Sequence, residues 1–191
     1  MDLKKDDNKI KIIEEARNLF IENQGIEGVN MHQIAKSANV GQATLYRKYT
    51  NLNDIAIDVA KEECLPLVEE INTFLENHEA LSSLEKLSHV IQLFQDFLEE
   101  KTPWLCSLSK SITGYQPMQS FLYQSLRHTC TALFEDALKH KEIKNINIPF
   151  TTEALLSVLH DYAIHQNALG FDKKQILEGI YELFIENIKA P

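Results

Sequence analysis

Five residues in one short stretch, Gln42, Thr44, Tyr46, Arg47 and Lys48, crowd hydrogen-bonding groups onto a surface suited to a polar partner. Their chemistry fits the edges of DNA bases. A glutamine amide pairs with N6 and N7 of adenine, and an arginine or lysine with O6 and N7 of guanine. Ala43 and the Thr44 methyl suit thymine methyl groups. Gln42 and Lys48 are the leading base readers. Arg47 stands about 100° round a helix from either neighbour, so its direction is open. Tyr46 has two readings, contact with DNA or packing against the first helix; Leu45 and Tyr49 already fill the apolar face, which favours contact.

The elements that must hold this surface are two short helices meeting at a corner. Ile34, Ala35 and Ala38 form the apolar set of one, Leu45 and Tyr49 that of the other. Between them, Ala38-Asn39-Val40-Gly41 leaves room only for a sharp turn, as in a helix-turn-helix. Asn39 is suited to left-handed backbone at the turn. Asn30, with Gln33 three residues on, has the spacing of a capping box. Gly41 or Gln42 opens the second helix. Asn30 and the amides behind it can seat a phosphate. His32 is directed to the groove edge and Lys36 to the DNA backbone, each competing with a side chain that merely meets solvent.

The chain has 191 residues, of which 44% are hydrophobic, with only 6 Gly and 5 Pro. Helical spacing recurs throughout and no alternating β-branched run stands out, so an all-α fold is expected. Net charge is −9. Residues 1–50 hold eight basic and seven acidic residues, whereas the remainder holds 11 basic and 21 acidic. An acidic body behind a nearly neutral reading head discourages indiscriminate DNA binding. Cys64, Cys106 and Cys130 are far apart and form no CxxC pair, which reads as buried thiols in a reducing compartment. The N-terminal segment lacks the apolar core of a signal peptide, and no apolar run reaches membrane-span length. A cytoplasmic protein without membrane association is expected.

The spacing predicts a first helix over 8–23, with Ile12, Ile13, Ala16, Leu19 and Phe20 on its apolar face and Gly25 closing it. A fourth helix starts near Asn51 or Asn53 and runs towards Leu75; Pro66 either kinks it or divides it. Wide apolar stripes follow from Leu84 to Leu98 and from Leu122 to Leu138, with a short element over 103–112 between them. A loop over 145–149 and two final helices, 152–169 and 173–190, complete the chain.

From Ile12 to Val59 the sequence resembles the DNA-binding domain of the tetracycline-repressor (TetR) family of bacterial transcription regulators. Ile13, Ala16, Leu19, Phe20 and Gly25 carry the resemblance in the first helix; Ile34-Ala35, Ala38, Val40, Thr44-Leu45-Tyr46-Arg47 and Tyr49 carry it in the corner. Three positions depart from the family pattern. Asn39 stands where Gly is usual, Gly41 where Ser is frequent, and Leu52 where a phosphate-binding Lys is usual. The last change lowers expected DNA affinity without altering sequence preference, unless Lys4, Lys5 or Lys9 compensates.

The resemblance implies a helix-turn-helix domain over 1–51 and a larger helical domain over 52–191 for effector binding and dimerisation. A homodimer on a palindromic double-stranded operator follows. Leu155, Leu159, Tyr162, Ile176, Ile180, Tyr181 and Phe184 are the candidate interface, with filling of the protomer's own core as the competing role. Phe94, Phe97, Trp104, Tyr123, Thr129 and His160 are candidates to line an effector pocket. Without a basic cluster in the apolar segments, a neutral or cationic, partly hydrophobic effector is expected rather than a highly charged anion. Repression relieved by that effector is the expected activity, transmitted through the fourth helix as a population shift. A protein partner in place of the effector is the alternative reading.

Enzyme chemistry finds little support. The chain has no Gly-rich phosphate loop, no GxSxG and no HExxH. His160 and His165 are five residues apart and so face different sides of a helix; Asp161 and His165 suit a surface pair. No catalytic residue, metal or cofactor is expected.

Overall fold

The computed structural model describes residues 7–114, 116–160 and 169–191, with the side chains of 102–104, 106, 107 and 109 excepted. Its elements are α1 (Asp7–Glu22), α2 (Met31–Ser37), α3 (Gln42–Lys48), α4 (Leu52–Asn77), α5 (Ser83–Ser111), a 3-10 turn (Pro117–Gln119), α6 (Phe121–Lys139), α7 (Ile148–His160) and α8 (Lys173–Tyr181), which runs into a π-turn (Glu182–Glu186). No strand occurs among the described residues; an isolated antiparallel bridge pairs Ile143 with Lys189. The all-α expectation holds.

Two compact units emerge. The first comprises 1–64 and 101–116, the second 65–100 and 117–191. Helices α4 and α5 therefore each supply residues to both. The first unit extends beyond Leu52, where α4 begins, to Cys64.

The first unit is built round Ile12, Ala16 and Phe20 of α1, Ile34 of α2, Leu45 of α3, Ile55 and Val59 of α4, and Leu108 and Ile112 near the end of α5. Burying a side chain of this size stabilises by roughly 1.5–3 kcal/mol. Polar ties reinforce the packing. Arg17 and Lys101 converge on Glu63, the lysine at 3.8 Å. Tyr49 donates its hydroxyl to Asp58 at 2.8 Å, and Lys9 pairs with the same carboxylate at 2.7 Å.

In the second unit, Leu87, Ile91 and Phe94 of α5 pack with Phe134 of α6, Leu155 and Leu159 of α7 and Ile180 of α8. Its loops are tied at the edge: Lys144 N–H donates to Ile188 O and Ala190 N–H to Glu142 O, both at 2.8 Å.

Three helices close in the same way. Gln24, Asn39 and Lys141 adopt positive φ of 56°, 51° and 60° after α1, α2 and α6. In each case the next residue reaches back five positions: Gly25 to Phe20, Val40 to Ala35 and Glu142 to Ala137. These are Schellman closures. Asn39 is the turn residue expected, but at the end of α1 Gln24 takes the left-handed place assigned to Gly25. Glycine's freedom is used one residue later, at φ 148°.

Other boundaries also differ from expectation. The short element over 103–112 is the last part of α5, which continues through Pro103. Likewise α4 continues through Pro66; Pro66 and Glu62, whose carbonyl it deprives of a partner, are both exposed. The supposed loop over 145–149 ends early because Asn147 Oδ1 accepts Phe150 N–H at 3.2 Å and starts α7. Regular α-helix ends at Tyr181 in the last segment, where the π-turn supersedes the expected run to 190.

Candidate nucleic-acid interface

The corner is held from inside. Ile34, Ala35 and Ala38 are buried on α2 and Leu45 on α3, with Tyr49 buried just beyond it. Asn30 accepts Gln33 N–H at 3.0 Å, while Gln33 Oε1 accepts Asn30 N–H at 2.8 Å, so the capping box forms in full. The price is that Asn30 spends its backbone amide and its Oδ1 on its own helix, leaving only Nδ2 to donate to a phosphate. Gly41 supplies the N-cap of α3 without a side-chain bond, as its lack of a side chain requires.

Burying Leu45 turns the rest of α3 outward. Gln42, Ala43, Tyr46 and Arg47 are exposed, and Thr44 and Lys48 are half-buried. Tyr46 is 55% exposed, which rejects the packing role. His32 and Lys36 are exposed on α2. One contact was not legible in the sequence: Gln42 Nε2 meets His32 Nδ1 across the corner. The ten-residue separation hides it, since only the turn brings the first residue of α3 beside the second of α2.

Near the start of α4, Asp54 Oδ2 accepts the amides of Thr50 and Asn51 at 3.0 and 3.3 Å, and Asn51 Oδ1 accepts Asp54 N–H at 3.1 Å. Leu52 is half-buried against the first unit's core. Lys9, a candidate to compensate for it, is the partner of Asp58; Lys4 and Lys5 lie outside the described residues.

The candidate effector residues do not form one group. Phe94 is buried in the second unit's core and Phe97 is packed against it. Tyr123 donates to Glu153 at 2.6 Å, and burial together with that carboxylate pushes its hydroxyl up to about 12. Thr129 is half-buried and His160 exposed. Trp104 belongs to the other unit and its side chain is not among those described. An open groove of about 560 Å³ in the second unit is lined instead by Ser82, Ser88, Glu142, Ile185 and Lys189 among others, and by none of these candidates.

Of the candidate interface residues, Leu155, Leu159, Ile176, Ile180 and Phe184 are buried in the protomer's own core and Tyr181 packs against it. Those five side chains therefore have no surface to offer a second copy. Tyr162, Asp161 and His165 lie outside the described residues. Among the described residues no cluster of three His, Cys, Asp or Glu side chains could hold a metal ion, and no helix is long and apolar enough to cross a membrane.

A short outward-facing helix braced by a second across a tight turn, ahead of a helical body, defines a helix-turn-helix DNA-binding regulator. Residues 12–59 match the family described as bacterial regulatory proteins, tetR family. The chain is 27% identical over 182 residues to an HTH-type transcriptional regulator of Staphylococcus aureus, covering 95% of this chain and 92% of that one. Its fold is similar to that of FadR from Thermus thermophilus, described as a TetR-family repressor in complex with lauroyl-CoA, with a TM-score of 0.70, 16% identity and 96% of each chain covered. FadR from Bacillus subtilis in complex with stearoyl-CoA is similar at a TM-score of 0.67 and 18% identity, covering 94% of this chain and 98% of that one. Residues 12–59 thus carry the DNA-binding segment of the tetR family of bacterial regulatory proteins, and over its length the chain is similar to transcription regulators.

Proposed function

We propose that the chain is a repressor that binds a palindromic operator as a homodimer and leaves it when a small, partly hydrophobic effector enters the second unit. The observation that carries the DNA half is the outward face of α3, with Gln42, Tyr46 and Arg47 exposed while Leu45 is wholly buried beneath them. One such head reads few base pairs, so pairing over a two-fold site supplies the missing affinity. Phe150 and Leu183, 72% and 58% exposed, are apolar surface available to a second copy.

Support for the effector half comes from Gln95. Its side chain is wholly buried, and among the described residues neither Nε2 nor Oε1 has a hydrogen-bond partner. Among the described residues, the other buried polar side chains of that unit are bonded: Ser83 donates to Asp136 at 2.7 Å, and Thr152 meets Thr131 at 3.5 Å. An orphaned buried amide costs about 1–3 kcal/mol, which a ligand that both donates and accepts would recover. Such a ligand has an apolar body and an uncharged head. Lauroyl-CoA and stearoyl-CoA, bound by the two similar regulators, share the long apolar part. Arg127, Lys173 and Lys189 of that unit are already paired, with Glu153, with Asp96 and Glu99, and with Glu186 respectively, which favours the uncharged head over the charged part of a CoA at those positions.

The test begins by selecting bound duplexes from a random library and measuring affinity by fluorescence anisotropy. Lauramide and lauroyl-CoA are then added separately. Lauramide is expected to release the wild-type protein, and Gln95→Leu to keep DNA binding but resist release. Selection of no sequence would remove the regulator reading; release of both proteins alike would remove the role of Gln95.

A further inference from the structure

We propose that His32 sets the direction of the Gln42 amide and thereby commits α3 to adenine at one position of the operator. This rests on the DNA-reading role proposed for α3 and names the base it reads. The contact runs between Gln42 Nε2 and His32 Nδ1. An amide nitrogen only donates, so Nδ1 is the acceptor in this contact. One N–H of Gln42 is spent on the ring. What remains is the Oε1 acceptor beside the second N–H donor. That pair complements the N6 amino group and N7 of adenine in the major groove. Guanine presents two acceptors at the same edge, O6 and N7, and meets an oxygen where it needs a donor.

Both residues are exposed, so their contact serves the surface rather than the core. Gln42 opens α3, and residues at the start of a recognition helix are those that reach base edges. A free glutamine amide turns about its last torsion and presents its oxygen and nitrogen in either order. His32 is fixed by α2, whose capping box and Schellman closure hold both ends of a seven-residue helix. The ring therefore acts as a positioning residue. It lowers the ordering cost of the base contact and removes the flipped amide from competition.

The experiment selects duplexes from a random library with the full chain and with Gln42→Ala, His32→Ala and His32→Asn. Circular dichroism and thermal unfolding verify that each variant folds. The position at which Gln42→Ala loses its preference identifies the base pair that Gln42 reads. There the wild-type protein is expected to favour adenine about tenfold or more. His32→Ala is expected to reduce that ratio several-fold, leaving preferences elsewhere and the salt dependence of binding unchanged. Asparagine places Oδ1 where Nδ1 stood, so His32→Asn is expected to restore adenine preference. The proposal is overturned if the Gln42 position prefers another base, if His32→Ala retains the full ratio, or if His32→Asn behaves as His32→Ala. Failure of the wild-type chain to select any sequence overturns the DNA reading along with it.

Discussion

At Leu52 the chain exchanges a cation for packing. Its side chain lies against the first unit's core, and Asp54 places a carboxylate in the first turn of α4. That carboxylate suits the helix N-terminus but repels a phosphate brought to the same place. Leu52→Lys is expected to increase duplex affinity up to about tenfold at low salt and to steepen the logarithmic salt slope by about 0.9. Anisotropy titrations across a salt series measure both, and an unchanged slope would show that the DNA backbone passes elsewhere. The thiols pose a different question. Burial pushes Cys64 up to about 12, with Glu63 adding to the effect, and burial alone does the same for Cys130. Neither is a thiolate at neutral pH, so a redox role for these two is disfavoured. Under native conditions at pH 8 a disulfide reagent followed by peptide mapping should leave both unmodified; in denaturant, where the ordinary value of about 8.5 returns, both should react.

At the level of the helices, α4 and α5 each carry a proline close to the place where one unit gives way to the other: Pro66 follows Cys64 by two residues, and Pro103 follows Glu100 by three. A proline inside a helix removes one backbone bond and loosens the turn before it. Pro66→Ala is therefore expected to stabilise the chain by roughly 1–3 kcal/mol in urea unfolding. If α4 transmits the effector signal, the same variant should also need several-fold more effector for release; an unaltered dose response would assign the proline to folding alone. The corner at Asn39 and the capping box at Asn30 were legible because each is written in adjacent residues. The continuity of α4 and α5 was not, since a proline's local cost is overridden by packing on both sides of it, as by Val59 before and Leu67 after Pro66 in α4. The stripes of α7 and α8 announced burial without saying against what. Leu155 and Ile180 prove to be committed within the protomer, a matter of tertiary arrangement that periodicity does not encode. The opposed amide and imidazole of Gln42 and His32 were hidden for the same reason.

For the molecule as a whole, the proposed pairing rests on apolar side chains that the protomer leaves uncovered. Phe150→Glu combined with Leu183→Glu is expected to shift the protein to monomer in analytical ultracentrifugation while its helical circular dichroism persists. Affinity for a full palindrome should then fall far more than affinity for a half-site; a dimer that survives both changes would place the interface elsewhere. The three Schellman closures carry a separate consequence. Gln24 and Lys141 hold left-handed backbone that costs a side-chain-bearing residue about 1 kcal/mol, and glycine would escape that cost at the expense of a looser unfolded chain, leaving a net gain of a few tenths of a kcal/mol at each. Neither belongs to α3 or to the apolar surface assigned to pairing. The ceiling on this regulator's working temperature can thus be raised at two loop corners without retuning what it recognises.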